Sequence, residues 1–127
     1  MNIRRYRLAL ERKYTDRVTV KRMGRVKVNG ETKQQLVTVY EGQPCRISQK
    51  ALGINGQTET VNQIAYDTKL FIAPELEIKQ GDTLTVTRGR NIAAGWEAVA
   101  PGREYKAGEP FPYETHQEIS LQRKDTA

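Results

Sequence analysis

Cys45 and His116 are the only thiol and the only imidazole in the chain. A nucleophilic Cys/His pair needs both side chains within hydrogen-bond reach on neighbouring elements. Cys45 falls on the apolar phase of "PCRIS" with Ile47, whereas His116 shares the polar phase of "HQEISL" with Glu118. The pattern sets them apart, so Cys45 reads as a small buried hydrophobe and His116 as a surface or hydrogen-bonded histidine. One cysteine cannot form an internal disulfide, and one cysteine with one histidine cannot build a zinc set. Glu75 and Glu77 share a face if their segment is a strand, but nothing in the sequence around them would raise a carboxyl pKa for acid/base work. The glycines sit in turns, and no G-x-x-x-x-G-K-S/T phosphate loop is present. The reading is of a protein that is not an enzyme, with no catalytic residue, no metal and no cofactor.

Charge is the stronger signal. Residues 1–25 carry Arg4, Arg5, Arg7, Arg12, Lys13, Arg17, Lys21, Arg22 and Arg25 against Glu11 and Asp16, a net of +7, while the rest of the chain nets −1. An excess gathered at one end points to an acidic or polyanionic neighbour there. Arg4, Arg5, Arg7, Arg12 and Lys13 are the candidate contacts. The aromatics Trp96, Phe111 and Tyr113 lie far from this cluster in sequence and read as core or rim packing, which argues against a stacking platform for single-stranded nucleic acid. No apolar run approaches the roughly 20 residues of a membrane span, and no export signal is recognisable, so a cytosolic protein with no membrane contact is expected.

The elements that must position these groups come in two periods. Ile3, Tyr6, Leu10 and Tyr14 recur at helical spacing, giving a basic helix over 2–13 that must dock on something, since three turns are marginal alone. From Asp16 the period is two: Val18 and Val20, Val26 and Val28, Val37 and Val39, Cys45 and Ile47. Asn29-Gly30 marks a hairpin, with the polar run "NGETKQQ" as a longer tip. Residues 66–86 read as an alternating ribbon folded over at Gly81-Asp82, with Pro74 ending regular pairing. Residues 88–114 look looser, and "HQEISLQ" is the last strand. Between them, "QKALGINGQTET" (residues 49–60) reads as a long polar loop. Together these predict a single domain over 1–127: a basic N-terminal helix (1–14) followed by a small antiparallel β-barrel (16–123), all-β in class.

Four segments, "YTDRVTVKR" (14–22), "YEGQPCRIS" (40–48), "KLFIAPELEIKQGDTLTVTR" (69–88) and "YETHQEISL" (113–121), resemble in order and spacing the small head-closure (stopper) proteins of long-tailed bacteriophages and PBSX-like defective prophages. The resemblance implies a virion structural protein of the head–tail connector. Such a subunit is made in the bacterial cytoplasm and assembles as a ring, about twelve-fold, below the portal and its adaptor. It joins the tail at the head–tail junction. The same resemblance implies that the loop after "CRIS", here Gln49, Lys50, Leu52, Gly53, Ile54, Asn55, Gly56 and Gln57, projects into the channel and retains packaged DNA. The subunit is expected to be a monomer in isolation, with non-specific DNA contact through its basic end. A tail-completion or tail-terminator protein is the neighbouring alternative, and a host small β-barrel that binds nucleic acid through residues 1–25 is the alternative of another class.

Overall fold

The computed structural model describes residues 3–51 and 66–123. Where the sequence alternates, it forms strands with one wet and one dry face. Val18 and Val20 are fully buried, while Arg17 between Asp16 and Val18 is exposed. One short helix, α1 (Ile3–Glu11), precedes β1 (Asp16–Val28) and β2 (Glu31–Ala51). They are followed by β3 (Tyr66–Ile72), β4 (Thr83–Thr87), β5 (Gly89–Ile92), β6 (Gly95–Ala98), β7 (Arg103–Ala107), β8 (Phe111–Pro112) and β9 (Gln117–Arg123).

The main sheet is antiparallel throughout, in the order β3-β2-β1-β4-β7-β9-β8. A further antiparallel pairing of β3 with β9, Leu70 opposite Ile119, closes six of these strands into a ring. The expected small antiparallel barrel takes this form. Inward positions from every strand of the ring fill it: Val18, Val20, Cys45, Leu70, Ile72, Leu84, Val86, Tyr105, Ala107, Ile119 and Leu121, with Ile78 from a connection. Each large aliphatic side chain so buried contributes roughly 1.5–3 kcal/mol.

Several expectations are corrected. The 66–86 ribbon does not fold on itself at Gly81-Asp82, because β3 pairs with β2 and β9 while β4 pairs with β1 and β7. Residues 73–82 instead cross one end of the ring, so Glu75 and Glu77 are not on a strand. Two buried polar side chains and a phenol fix the crossing. The Gln117 amide donates to the carbonyls of Ala73 (2.8 Å) and Leu76 (2.7 Å), and the Tyr40 hydroxyl accepts from the Glu77 N–H at 2.9 Å. The Asp82 carboxylate accepts from the Lys79 N–H and from two nitrogens of Arg22, at 2.8 to 2.9 Å. Gly81, at φ 94°, donates its N–H to Ala107 and so ties the turn to β7.

The β1–β2 hairpin turns in two residues, not over a seven-residue tip. Asn29 (φ 53°) and Gly30 (φ 81°) both take the left-handed conformation that a tight primed turn requires, which leaves Glu31–Gln35 free to pair. The hairpin is long: β4 accompanies β1 only to Lys21, and β3 accompanies β2 only from Cys45. Beyond those points the two strands run on as a ribbon with no further strand on either side among the described residues. Residues 88–114, expected to be loose, hold a second small sheet (β5–β6) as well as β7 and β8. This small hairpin is anchored by Trp96, whose indole N–H donates to the Thr15 carbonyl at 2.8 Å and whose ring lies under the Arg17 guanidinium at 4.4 Å. Asp16, almost wholly buried, accepts from the N–H groups of Ile47 (3.0 Å) and Gly89 (3.1 Å), joining β2 and β5 at the same corner.

Candidate functional site

Helix α1 carries three of the five predicted N-terminal contacts, Arg4, Arg5 and Arg7, and Arg12 and Lys13 follow it directly. Arg4, Arg5, Arg12 and Lys13 are exposed. Arg7 is not presented outward in the same way: its guanidinium forms a two-pronged ion pair with Glu75 and lies 3.5 Å from Glu11 one turn on. The Glu75 pairing raises the Arg7 pKa, and the guanidinium in turn holds the Glu75 carboxyl below its ordinary range. The expected docking of the helix is therefore mainly ionic. No residue of α1 is buried, and Ile3, Tyr6 and Leu8 remain exposed.

Leu10, on the inner side of α1, lines a shallow groove of about 360 Å³ with Lys13, Tyr14, Arg46, Ser48, Phe71 and His116. Burial lifts the Tyr14 phenol above its usual pKa. His116 sits between Thr115 (3.1 Å) and Glu118 (3.1 Å), stacks on Tyr113 at 4.9 Å and lies 5.8 Å from Phe71. Tyr6 and Tyr14 are near the basic end in sequence; strand order adds Phe71 and His116 to the groove that Lys13, Tyr14 and Arg46 line. Phe111 and Tyr113 pack on each other at 5.1 Å but are exposed, so they are rim and not core. The signal that could have located this cluster is the polar phase of "KLFI" and of "YETH", which puts Phe71 and His116 on the outer face.

Of the predicted channel loop, Gln49 and Lys50 are strand residues. With Ala51 they pair with Thr68, Asp67 and Tyr66 of β3, because β2 extends its ladder to the end of the polar run. The loop therefore starts later than residue 49. Leu52, Gly53, Ile54, Asn55, Gly56 and Gln57 lie outside the described residues. The β2–β3 end that leads to them is the end of the ring opposite the 73–82 crossing. There Gln49 borders a second groove with Arg46, Arg88, Arg103 and the rim of the core.

Reactive chemistry is sparse. Cys45 is fully buried, burial pushing its thiol pKa up, and His116 is on the outside of the ring. Among the described residues no three His, Cys, Asp or Glu side chains are grouped to hold a metal ion, and no buried side-chain nitrogen or oxygen lacks a partner. No helix there is long and apolar enough to cross a membrane. Comparisons with protein-family models, with curated proteins and with solved structures found no match.

Proposed function

We propose that this chain is a non-catalytic structural subunit of a phage or prophage head–tail connector, a head-closure protein that joins a ring below the portal and adaptor, receives the tail and helps retain packaged DNA. One observation carries the reading: among the described residues the core lies within a closed ring, yet two extensions keep large apolar side chains out of it. Ile3, Tyr6 and Leu8 on α1, and Met23, Val28, Leu36 and Val37 on the β1–β2 ribbon, are all exposed. A body that needs nothing more, with extensions that bury little in their own chain, is what a subunit designed to meet neighbours requires. The four sequence segments that resemble head-closure proteins agree with this, and in this reading the segment after β2, which lies outside the described residues, is the one assigned to the channel.

The test is assembly. The purified chain is to be mixed with portal–adaptor complexes encoded beside its own gene and imaged by cryo-EM. Density for a ring of copies below the adaptor is the expected result. Complexes that remain bare at saturating protein, or density at the far end of the tail tube, would remove the head-closure reading.

A further inference from the structure

Three guanidinium groups meet one concavity at the end of the ring opposite the 73–82 crossing. Arg46 of β2, Arg88 after β4 and Arg103 of β7 line a groove of about 540 Å³ with Gln49, and its floor is the edge of the core at Val86 and Tyr105. All three arginines are exposed. None of them forms an ion pair among the described residues, in contrast with Arg7, Arg22 and Arg90, each of which has a carboxylate. Among the described residues no aspartate or glutamate lines this groove. Tyr105 is 5% exposed. Arg46 and Ser48 also line the aromatic groove beside α1, so the two hollows share part of their rim, and Lys13 lines the aromatic one.

We propose that this double groove binds the phosphodiester backbone of a nucleic acid, with Arg46, Arg88 and Arg103 as phosphate contacts and Lys13 as a fourth. Charge sets the ligand class: three unpaired guanidiniums call for an anion that carries several charges along a line, and the planar guanidinium fork suits phosphate oxygens. An acidic peptide would meet the same charge, but it has no use for the aromatic faces of Tyr14 and Phe71 in the adjoining hollow. A polynucleotide does, since bases stack on such faces. The site stands on these residues alone and holds equally for a connector subunit and for a host β-barrel.

The experiment measures binding of the full chain to a fluorescent 20-mer, single-stranded in one arm and duplex in another, with inorganic phosphate and polyglutamate as further probes. Salt runs from 50 to 200 mM. The Arg46→Gln/Arg88→Gln/Arg103→Gln variant should lose affinity, and the slope of log K against log salt should flatten by about 2.7 for duplex and about 2.1 for single strand. For duplex, that is about 40-fold less weakening over the fourfold salt range. Arg103→Lys should keep the slope while binding more weakly, because charge remains and the fork is lost. Unchanged Trp96 emission and thermal melting confirm that the variants fold. Preference for the single strand assigns the aromatic hollow to bases, whereas equal binding of duplex assigns the site to backbone alone, and either supports the proposal. It is overturned if neither oligonucleotide binds the wild type at 50 mM salt, if the triple variant keeps affinity and slope, if polyglutamate binds as tightly as either oligonucleotide, or if only inorganic phosphate binds.

Discussion

Two single residues report on the interior. Cys45 is fully buried between Asp16 and Ile72 in the ladder, and burial raises its thiol pKa. The folded state therefore keeps its proton above the pH at which the unfolded thiol, with an ordinary pKa of about 8.5, gives it up. Above that pH the unfolded state binds fewer protons than the native one, so this stability is present below about pH 8.5 and lost as pH rises further. Urea unfolding from pH 8 to 10 should show wild-type stability declining by up to about 1.4 kcal/mol per pH unit from this group. Cys45→Ala should be less stable at pH 7 yet lack that component of the decline. The only tryptophan supplies a second probe. A Cβ placed on Gly89 would come within 2.1–2.5 Å of the Trp96 ring, so Gly89→Ala must expel the indole from its seat against Thr15. A red-shifted emission maximum is expected, with a cost of about 1–3 kcal/mol. Both residues show what sequence could and could not give. The apolar phase of Cys45 was legible because period two is local; the use of Gly89 was not, because its partner is seven residues on and across a hairpin.

Among the elements, α1 is the least secured. Its nine residues bury nothing, and the helix is held to the ring by the Arg7–Glu75 pair and the partial cover of Leu10. Glu75 is more than half exposed, so the pair is worth no more than about 1 kcal/mol after solvent screening. Its depressed pKa fixes the sign: the contribution is present above the ordinary glutamate value of about 4.3 and is lost as pH falls through the lower, folded value. Glu75→Gln should therefore speed tryptic cleavage after Arg12 and Lys13 at neutral pH, and 0.5 M salt should narrow the difference from wild type. Equal cleavage rates would assign the docking to Leu10 instead. Element types were readable because helix and strand periods differ, and the Asn29-Gly30 turn was readable because both residues tolerate positive φ. Partnering was not. "LEIKQGDTLTV" alternates like a hairpin, but Gln117 and Tyr40 capture residues 73–77, and the pairing passes to β7. The grooves were invisible for the same reason, since Arg46, Arg88 and Arg103 become neighbours only when β2, β4 and β7 share one ring.

For the molecule as a whole, ring closure by β3 and β9 determines which parts can be dispensed with. Removal of residues 117–123 withdraws Gln117, Ile119 and Leu121 and opens the ring on both sides of β9. That variant should not fold cooperatively by circular dichroism. Removal of residues 1–13 takes away no buried side chain among the described residues, and the product should melt within a few degrees of wild type. Closure pairs the strands of the body on both sides over most of their length, which leaves little extended edge there among the described residues to seed self-assembly. The pure protein should accordingly sediment as a monomer at micromolar concentration. A stable closed ring formed without other proteins would contradict that.

The β1–β2 ribbon has a consequence for how the protein behaves in a test tube. From Arg22 to Val28 and from Glu31 to Pro44 neither strand has an outer neighbour among the described residues, so two long rows of amide groups face any second copy. Opposed residues share a face, and the face bearing Lys21, Arg25 and Lys27 carries no acid opposite them, only Thr38, Gln34 and Thr32. Like charges therefore hold copies apart before backbone hydrogen bonds can form between them. Added salt removes that guard: concentrated stocks should stay clear by light scattering at low ionic strength and turn turbid as sodium chloride approaches 1 M, where the screening length falls to about 3 Å.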